Sequence, residues 1–260
     1  IHEQLSGLQS GGNQHQALTI TEPLRGHLGT VVDSITRAYG GRHMVFQPFE
    51  ETVLRSAVKD VFDQDSIPLF DIAGSDYLLS FGADLLSTWI SPVAYSRGYG
   101  QFRDMSNGHH RGYHVHVDPR YSMTAANADQ WIPVSPGTEG VLALSIASVI
   151  VSEGLVSPEI ISMATGNLGP SALDEYQPER IISTLGVPER IRGEPSTEII
   201  KRIAREFASA KSALAIGGGS AGAHTNGQFN LKAIYSLNYL VGSVGKKPGQ
   251  GGIVFNPSAP

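Results

Sequence analysis

The chain has 260 residues, 40% hydrophobic and 17% charged, with a formal net charge of −5. That balance is ordinary for a globular protein and leaves no basic run to neutralise phosphates, so no nucleic-acid partner is expected. Cysteine is absent, which excludes from these residues a thiolate-held zinc or iron–sulfur centre, a catalytic thiol and any disulfide. No apolar run reaches the ~18 residues of a bilayer span. The first residue is Ile1 rather than Met, and the chain is read as a segment of a longer polypeptide.

In chain order, residues 1–15 are polar and read as a loop. "ALTITEPL" reads as a strand. A helix over 25–39 follows, with Leu28, Val31, Val32 and Ile35 at helical spacing and Gly40-Gly41 as its stop. A second helix is expected over 50–63, a strand over 77–81 ending at Gly82, and a helix over 91–102. "GYHVHVDPR" is the next strand, closed by Pro119, and 130–134 is a short one. An apolar helix should cover 140–153, then a polar connection with two or three short helices, then an amphipathic helix over 197–209. The strand 213–216, a helix over 228–241 and a glycine-rich tail complete the chain. Strands alternating with helices predict an α/β fold, a mostly parallel sheet flanked by helices.

"AKSALAIGGGSAGAHTNG" (210–227) holds Gly217, Gly219 and Gly222 in the G-x-G-x-x-G spacing after a strand. In a dinucleotide-binding fold such glycines let the backbone approach a pyrophosphate, and an acidic residue about 20 positions later holds the ribose. Residues 207–260 contain no Asp or Glu, so a plain NAD or FAD site is not expected. The remaining readings are a glycine-rich turn at the sheet edge, or a loop facing a different cofactor. "SVGKKPGQGG" does not keep the P-loop register.

His109, His110, His114 and His116 cluster, and His114 and His116 share one face of a strand. An H-x-H pair can bind a metal if further ligands join it, with Asp118, Asp129, His43 and His224 as candidates. None has diagnostic spacing, and hydrogen-bonded or surface histidines are the simpler reading. Glu50 and Glu51 read as acidic residues at a helix N-terminus. Trp89, Tyr95, Tyr99 and Phe102 read as packing. No G-x-S-x-G elbow is present for a serine hydrolase.

Four motifs in order, "DYLLSFGAD" (76–84), the run from "VHVDPRYSMTAANADQWIPVSPGTEG" onwards (115–155), the glycine loop, and "LNYLVGSVGKKPGQGG", resemble molybdopterin oxidoreductases of the dimethyl sulfoxide reductase family. The resemblance runs from about Asp71 to Gly252. It implies a molybdopterin-oxidoreductase-like, dinucleotide-fold-like central domain over 46–243. Residues 1–45 and 244–260 would be the entry from, and return to, a neighbouring domain. It implies that Gly82, Asp118, Arg120, Gly137, Thr138, Glu139, Gly217, Gly219, Gly222 and His224 line the pocket of a bis-molybdopterin guanine dinucleotide. The family usually has Asp where Glu139 stands.

The departures from the family pattern narrow the resemblance. The window "RHMVFQPFEE", where working members carry the molybdenum ligand, has no thiol or hydroxyl and offers only Glu50 and Glu51. Asp84 replaces a usual Asn-Pro context and would repel a pyrophosphate. One branch with these departures is similar: the molybdopterin-like, iron–sulfur subunit of bacterial alternative complex III, a quinol-oxidising respiratory or photosynthetic assembly. "TEPLRGHLGTVVD", "FGADLLSTWISPVAYSRGYGQFR" and "ANADQWIPVSPGTEG" carry that likeness. It implies a scaffold with no catalytic residue, metal or cofactor in this segment. Iron–sulfur clusters would lie elsewhere in the chain and haem in partners. The implied partners are a multihaem cytochrome, a polysulfide-reductase-like membrane subunit and further subunits, on the periplasmic side of the membrane.

Overall fold

The computed structural model describes residues 1–24, 26–46, 51–106 and 111–256. The chain divides into two compact units, Ile1–Thr52 and Val53–Pro260. In the first, β1 (Leu18–Thr21) and β2 (Arg42–Val45) pair in parallel, connected through α2 (His27–Ala38). Its side-chain bonds are polar. Thr36 donates to Thr19 at 2.9 Å, and His43 bridges Thr21 and Asp33 at 2.8 and 2.7 Å. Leu28, Val31 and Ile35, the helical apolar face expected from the sequence, are exposed. The polar stretch 1–15, read as a loop, holds a helix, α1 (His2–Ser10), with no buried residue.

The second unit owes its core to two apolar rhythms. The runs Tyr77–Phe81 (β4) and Ala213–Gly217 (β9) are buried at every position, as strands covered on both faces must be. With β5 (Tyr113–Val117) and β6 (Gln130–Ile132) they form an all-parallel sheet in the order β6-β5-β4-β9. Helices pack around it, some on the sheet and others on neighbouring helices. These are α3 (Glu51–Phe62), α4 (Pro92–Arg103), the short α5 (Met123–Asn127), α6 (Glu139–Ser152), α7 (Pro158–Ala164), α8 (Pro178–Leu185), α9 (Ser196–Ser209) and α10 (Gly227–Leu240). In α9 the face Ile199, Ile200, Ile203, Ala204 and Phe207 is buried. Its outer face is ionic: Arg202 meets Glu194 and Glu206, and Arg205 grips Glu153 with two bonds of 2.7 Å. α6 is apolar all round and lies in the core.

The expectation of an α/β fold built on one mostly parallel sheet is overturned. Helix makes up 49% of the structure against 15% strand. Among the described residues the strands fall into four separate sheets, two of them antiparallel pairs. The cause lies in the chain's long middle. From α6 to α9 the apolar spacing is helical almost throughout, and the only strands there are a two-residue pair, β7 (Arg190–Ile191) with β8 (Glu194–Pro195). The other antiparallel pair joins distant segments, β3 (Leu69–Asp71) and β10 (Gly252–Val254).

Two polar devices close the ends of this arrangement. β9 is an edge strand, and the buried Asn238 of α10 stands in for a missing neighbour. Its amide accepts from the Ala215 N–H and donates to the Ala215 carbonyl, both at 2.9 Å. Asp71 holds the glycine-rich return. Its carboxylate accepts from the N–H groups of Gly249 at 2.6 Å, Gly251 at 3.0 Å and Gly74 at 3.2 Å. Asp71→Ala leaves these donors unpaired, and the expected loss is about 3 kcal/mol of stability, read as a lower urea midpoint.

Candidate functional site

The four parallel strands end at one edge, and their order reverses there. From β4 the chain moves through α4 to β5 and on to β6; β9 then returns on the other side of β4. The gap opened between β4 and β9 at their C-terminal ends is the position where open parallel sheets bind ligands. Gly82 follows β4, and the loop Gly217 to Gly222 follows β9.

The glycines at this point serve contact of protein with protein. Gly82 has φ +62°, and a Cβ there would overlap Ser220 Oγ and lie 2.5 Å from the Ala221 nitrogen. Gly219 has φ +54°, and its Cβ would overlap the Gly82 carbonyl. At Gly218 a Cβ would overlap the Trp89 indole, and at Gly217 it would meet Ile234 at 2.9 Å and Leu231 at 3.0 Å. Tyr235 donates to the Gly217 carbonyl at 2.6 Å. Gly222 is buried at the end of a short 3-10 turn. The close approach that a pyrophosphate would need is taken by backbone and by Trp89, itself packed between Phe70 and Tyr95.

The charges at the edge are also engaged. Asp84 accepts from Thr124 at 2.6 Å and from Arg120 at 3.1 Å, so the guanidinium that could face a ligand sits on a carboxylate of the same chain. Asp118 accepts the Arg120 N–H at 2.8 Å. Thr138 turns back to the Ser135 carbonyl at 2.7 Å. Gly137, at φ +85°, offers its carbonyl to Asn226 at 2.8 Å. Glu139 is fully buried in the first turn of α6. Burial pushes its carboxyl up from the ordinary value, and Asp118 adds to that; the backbone N–H groups of Glu139 and Gly137 and the His224 charge pull the other way. His224 is exposed beside Gly137.

The structure thus brings Gly82 to Gly217, Gly219 and Gly222, and gathers Gly137, Thr138, Glu139 and His224 at the start of α6. A residue missed in the sequence joins the two groups. Buried Asn230 of α10 donates to the Ala221 carbonyl at 3.2 Å and to Glu139 at 3.3 Å, and accepts the Gly140 N–H. An Asn in the first turn of an otherwise largely apolar helix was the available signal. Three buried polar atoms at this edge, Ser220 Oγ, Glu139 Oε1 and the Trp89 Nε1–H over Gly218, have no hydrogen-bond partner.

The histidines of β5 point into the protein. Ser80 Oγ lies 2.8 Å from His114 Nε2 and 2.7 Å from His116 Nδ1. All three are fully buried. Among the described residues no group of three or more His, Asp or Glu is placed to hold a metal ion. Asp129 is bound by Arg103 and by Arg111, and His43 lies in the first unit. His109, His110 and Glu50 fall outside the described residues; Glu51 opens α3.

Comparison with known proteins bears on this geometry. The family model "Molybdopterin oxidoreductase" matches residues 54–259. A probable dimethyl sulfoxide reductase chain, YnfF, of Escherichia coli is 31% identical over 198 residues, covering 70% of this chain and 24% of that protein. The menaquinone reductase, molybdopterin-binding-like subunit of Nitratidesulfovibrio vulgaris is 26% identical over 247 residues, covering 94% of this chain and 33% of that one. The acetylene hydratase structure from Pelobacter acetylenicus superposes with a TM-score of 0.64 at 20% identity, over 93% of this chain and 32% of that one. The chain therefore spans a third or less of the length of these proteins.

Gly219→Ala is expected to cost about 3 kcal/mol or more, because strain at positive φ adds to a collision with backbone that cannot yield. Gly242→Ala, at φ +65° with open space around it, should cost only about 1 kcal/mol. Paired denaturation curves check the contrast.

The buried histidine gives a pH dependence. Burial holds His114 well below its ordinary 6.5, and the charges of His116 and Arg103 act in the same direction. Below that value the unfolded chain takes up a proton that folded His114 refuses, so stability falls as pH falls, by about 1.4 kcal/mol per pH unit for one group. His114→Gln, less stable at neutral pH, should lose that part of the acid slope in urea titrations.

Proposed function

Because the chain belongs to the molybdopterin oxidoreductase family, we propose that it is a segment of the molybdopterin-like, iron–sulfur subunit of a quinol:acceptor oxidoreductase of the alternative complex III type. In this reading the segment is a scaffold. It keeps the family's strand-end loops as structural turns and supports cluster-bearing parts of the longer polypeptide. The partners are a multihaem cytochrome and a polysulfide-reductase-like membrane subunit, with the subunit held peripherally on the periplasmic side.

The observation that carries the reading is the filled edge between β4 and β9. A bis-molybdopterin guanine dinucleotide needs backbone N–H groups open to its phosphates and cations facing them. Here the backbone of Gly82 and Gly219 is mutually packed, Trp89 covers Gly218, and Arg120 is held by Asp84. Asp118, Asp84 and the buried Glu139 bring carboxylates to the same edge. The residues present do not fit the group. The similarity to a subunit described as molybdopterin-binding-like in a menaquinone reductase supports the same direction.

A second reading rests on the two partnerless oxygens, Ser220 Oγ and Glu139 Oε1. Buried polar atoms of this kind can mark a ligand that completes them. In that reading the segment belongs to a catalytic oxidoreductase that binds bis-molybdopterin guanine dinucleotide, with Glu50 or Glu51 on the metal.

Elemental analysis of the purified native assembly separates the two, with oxidised-pterin fluorescence on the same sample. The scaffold reading expects iron and haem with neither molybdenum, tungsten nor pterin. Metal and pterin near one per polypeptide would sink it.

A further inference from the structure

A line of buried polar side chains runs beneath the sheet from α4 to the C-terminal edge. It comprises Tyr99, His114, Ser80, His116 and Asp118, of which His114, Ser80 and His116 are fully buried and Asp118 is 2% exposed. Its hydrogen-bond directions can be assigned one by one from the end that has no freedom. The Tyr99 hydroxyl lies 2.7 Å from the Asn127 carbonyl, which can only accept, so the phenol proton goes there. Arg103 Nε donates to the same hydroxyl at 3.0 Å. His114 Nδ1, 3.2 Å from that oxygen, must therefore be the donor.

Neutral His114 then has a bare Nε2, and Ser80 donates its proton to it at 2.8 Å. With that proton spent, Ser80 Oγ accepts from His116 Nδ1 at 2.7 Å. That leaves His116 Nε2, which makes no hydrogen bond and lies 3.4 Å from Asp118 Oδ2, an ion-pair distance. If both atoms were bare, two lone pairs would face each other in a buried site, one of them on a carboxylate. An unpaired buried charge of that kind is strongly destabilising.

We propose that His116 and Asp118 form a buried proton-binding site that holds one proton between Nε2 and Oδ2, at the pocket end of a polar chain whose direction is fixed by Arg103. The other groups facing the pair are consistent with a single stored proton. Glu139 of α6 lies near Asp118, its carboxyl pushed up by burial, and His224 lies near Glu139 from the loop after β9. Asp118 Oδ1 is held by the Arg120 N–H, and the Asp118 carbonyl by the Trp131 indole at 2.9 Å. Asp118 is the outer member, so a group arriving at the sheet edge would exchange protons through it. Arg103, which does not deprotonate, closes the far end, so the site stores a proton and does not conduct one across the domain. The site is independent of whether a cofactor occupies the edge.

Neutron diffraction from deuterium-exchanged crystals of the full polypeptide near neutral pH reads the assignment directly. Deuterium is expected on Nδ1 alone in His114, on Nδ1 of His116, and once more between His116 Nε2 and Asp118 Oδ2. Absence of deuterium from both of those atoms, or deuterium on His114 Nε2, would overturn the proposal. Asp118→Asn supplies a second test that a purely structural role would not pass. The amide can donate to a neutral ring, so His116 should lose its Nε2 proton. Retention of both ring protons in that variant would overturn the pairing. Imidazole nitrogen shifts from histidine-labelled full polypeptide give the same two readings without crystals.

Discussion

The meeting of Gly82 and Gly219, backbone against backbone, sets the rest of the second unit. Neighbouring parallel strands whose connections leave in opposite directions must part at their C-terminal ends, and the chain has to turn sharply at both. Positive φ at Gly82 and Gly219 makes those turns, and the missing side chains let the two loops close on each other. Once closed, the 3-10 turn to Gly222 aims the chain into α10. That helix returns along β9 and secures it twice, through Tyr235 on the Gly217 carbonyl and Asn238 on Ala215. Asn230 on the same helix reaches the start of α6. One backbone contact thus fixes two helix starts, a strand edge and the position of every candidate pocket residue after β9.

Much of this was legible because it is local. Fully apolar runs flanked by glycine gave β4 and β9, and helical spacing in 197–209 marked the buried face of α9. The motif loops were recognisable, and they do fall on one sheet edge. What was not legible depends on distant partners. The glycine-rich tail carries β10 only because Asp71 gathers its N–H groups from far along the chain. The β7–β8 turn places Arg192 at φ +51° before Gly193 at φ +86°, a primed-turn conformation usually signalled by Asn or Asp in the first position. Alternation of Val with His in 113–117 looks half-exposed, yet the strand is covered on both faces. The polar face is satisfied by Ser80 and Tyr99, residues that no local pattern ties to it. The sheet-centred fold expectation failed for a related reason. Strand-end motifs draw attention to the sheet, while the mass of the chain lies in helices.

The electrostatics of the sheet edge follow from these same contacts. An edge built to hold a pyrophosphate presents helix N-termini and free cations to the ligand. Here each carboxylate has an internal answer. Asp84 has Arg120 and Thr124, Glu139 has Asn230 and the first turn of its own helix, and Asp118 has the Arg120 N–H. The acidic residues do not form a cation site, because their oxygens are spent on different partners in different directions. The arginine of the D-P-R motif donates to a carboxylate of the neighbouring strand end.

Such an edge is stable without a ligand, and that is the physical content of the scaffold reading. A cofactor cradle that has merely lost its occupant would keep open N–H groups and uncompensated charge, at a cost in unsatisfied polar atoms. This edge packs the backbones of Gly82 and Gly219 together and pairs Arg120 with Asp84, while Ser220 Oγ, Glu139 Oε1 and the Trp89 Nε1–H are left without partners. In the scaffold reading, Asp84 and the placement of Trp89 over Gly218 act together. The first gives Arg120 an anion within the chain, and the second packs an indole against the Gly218 backbone.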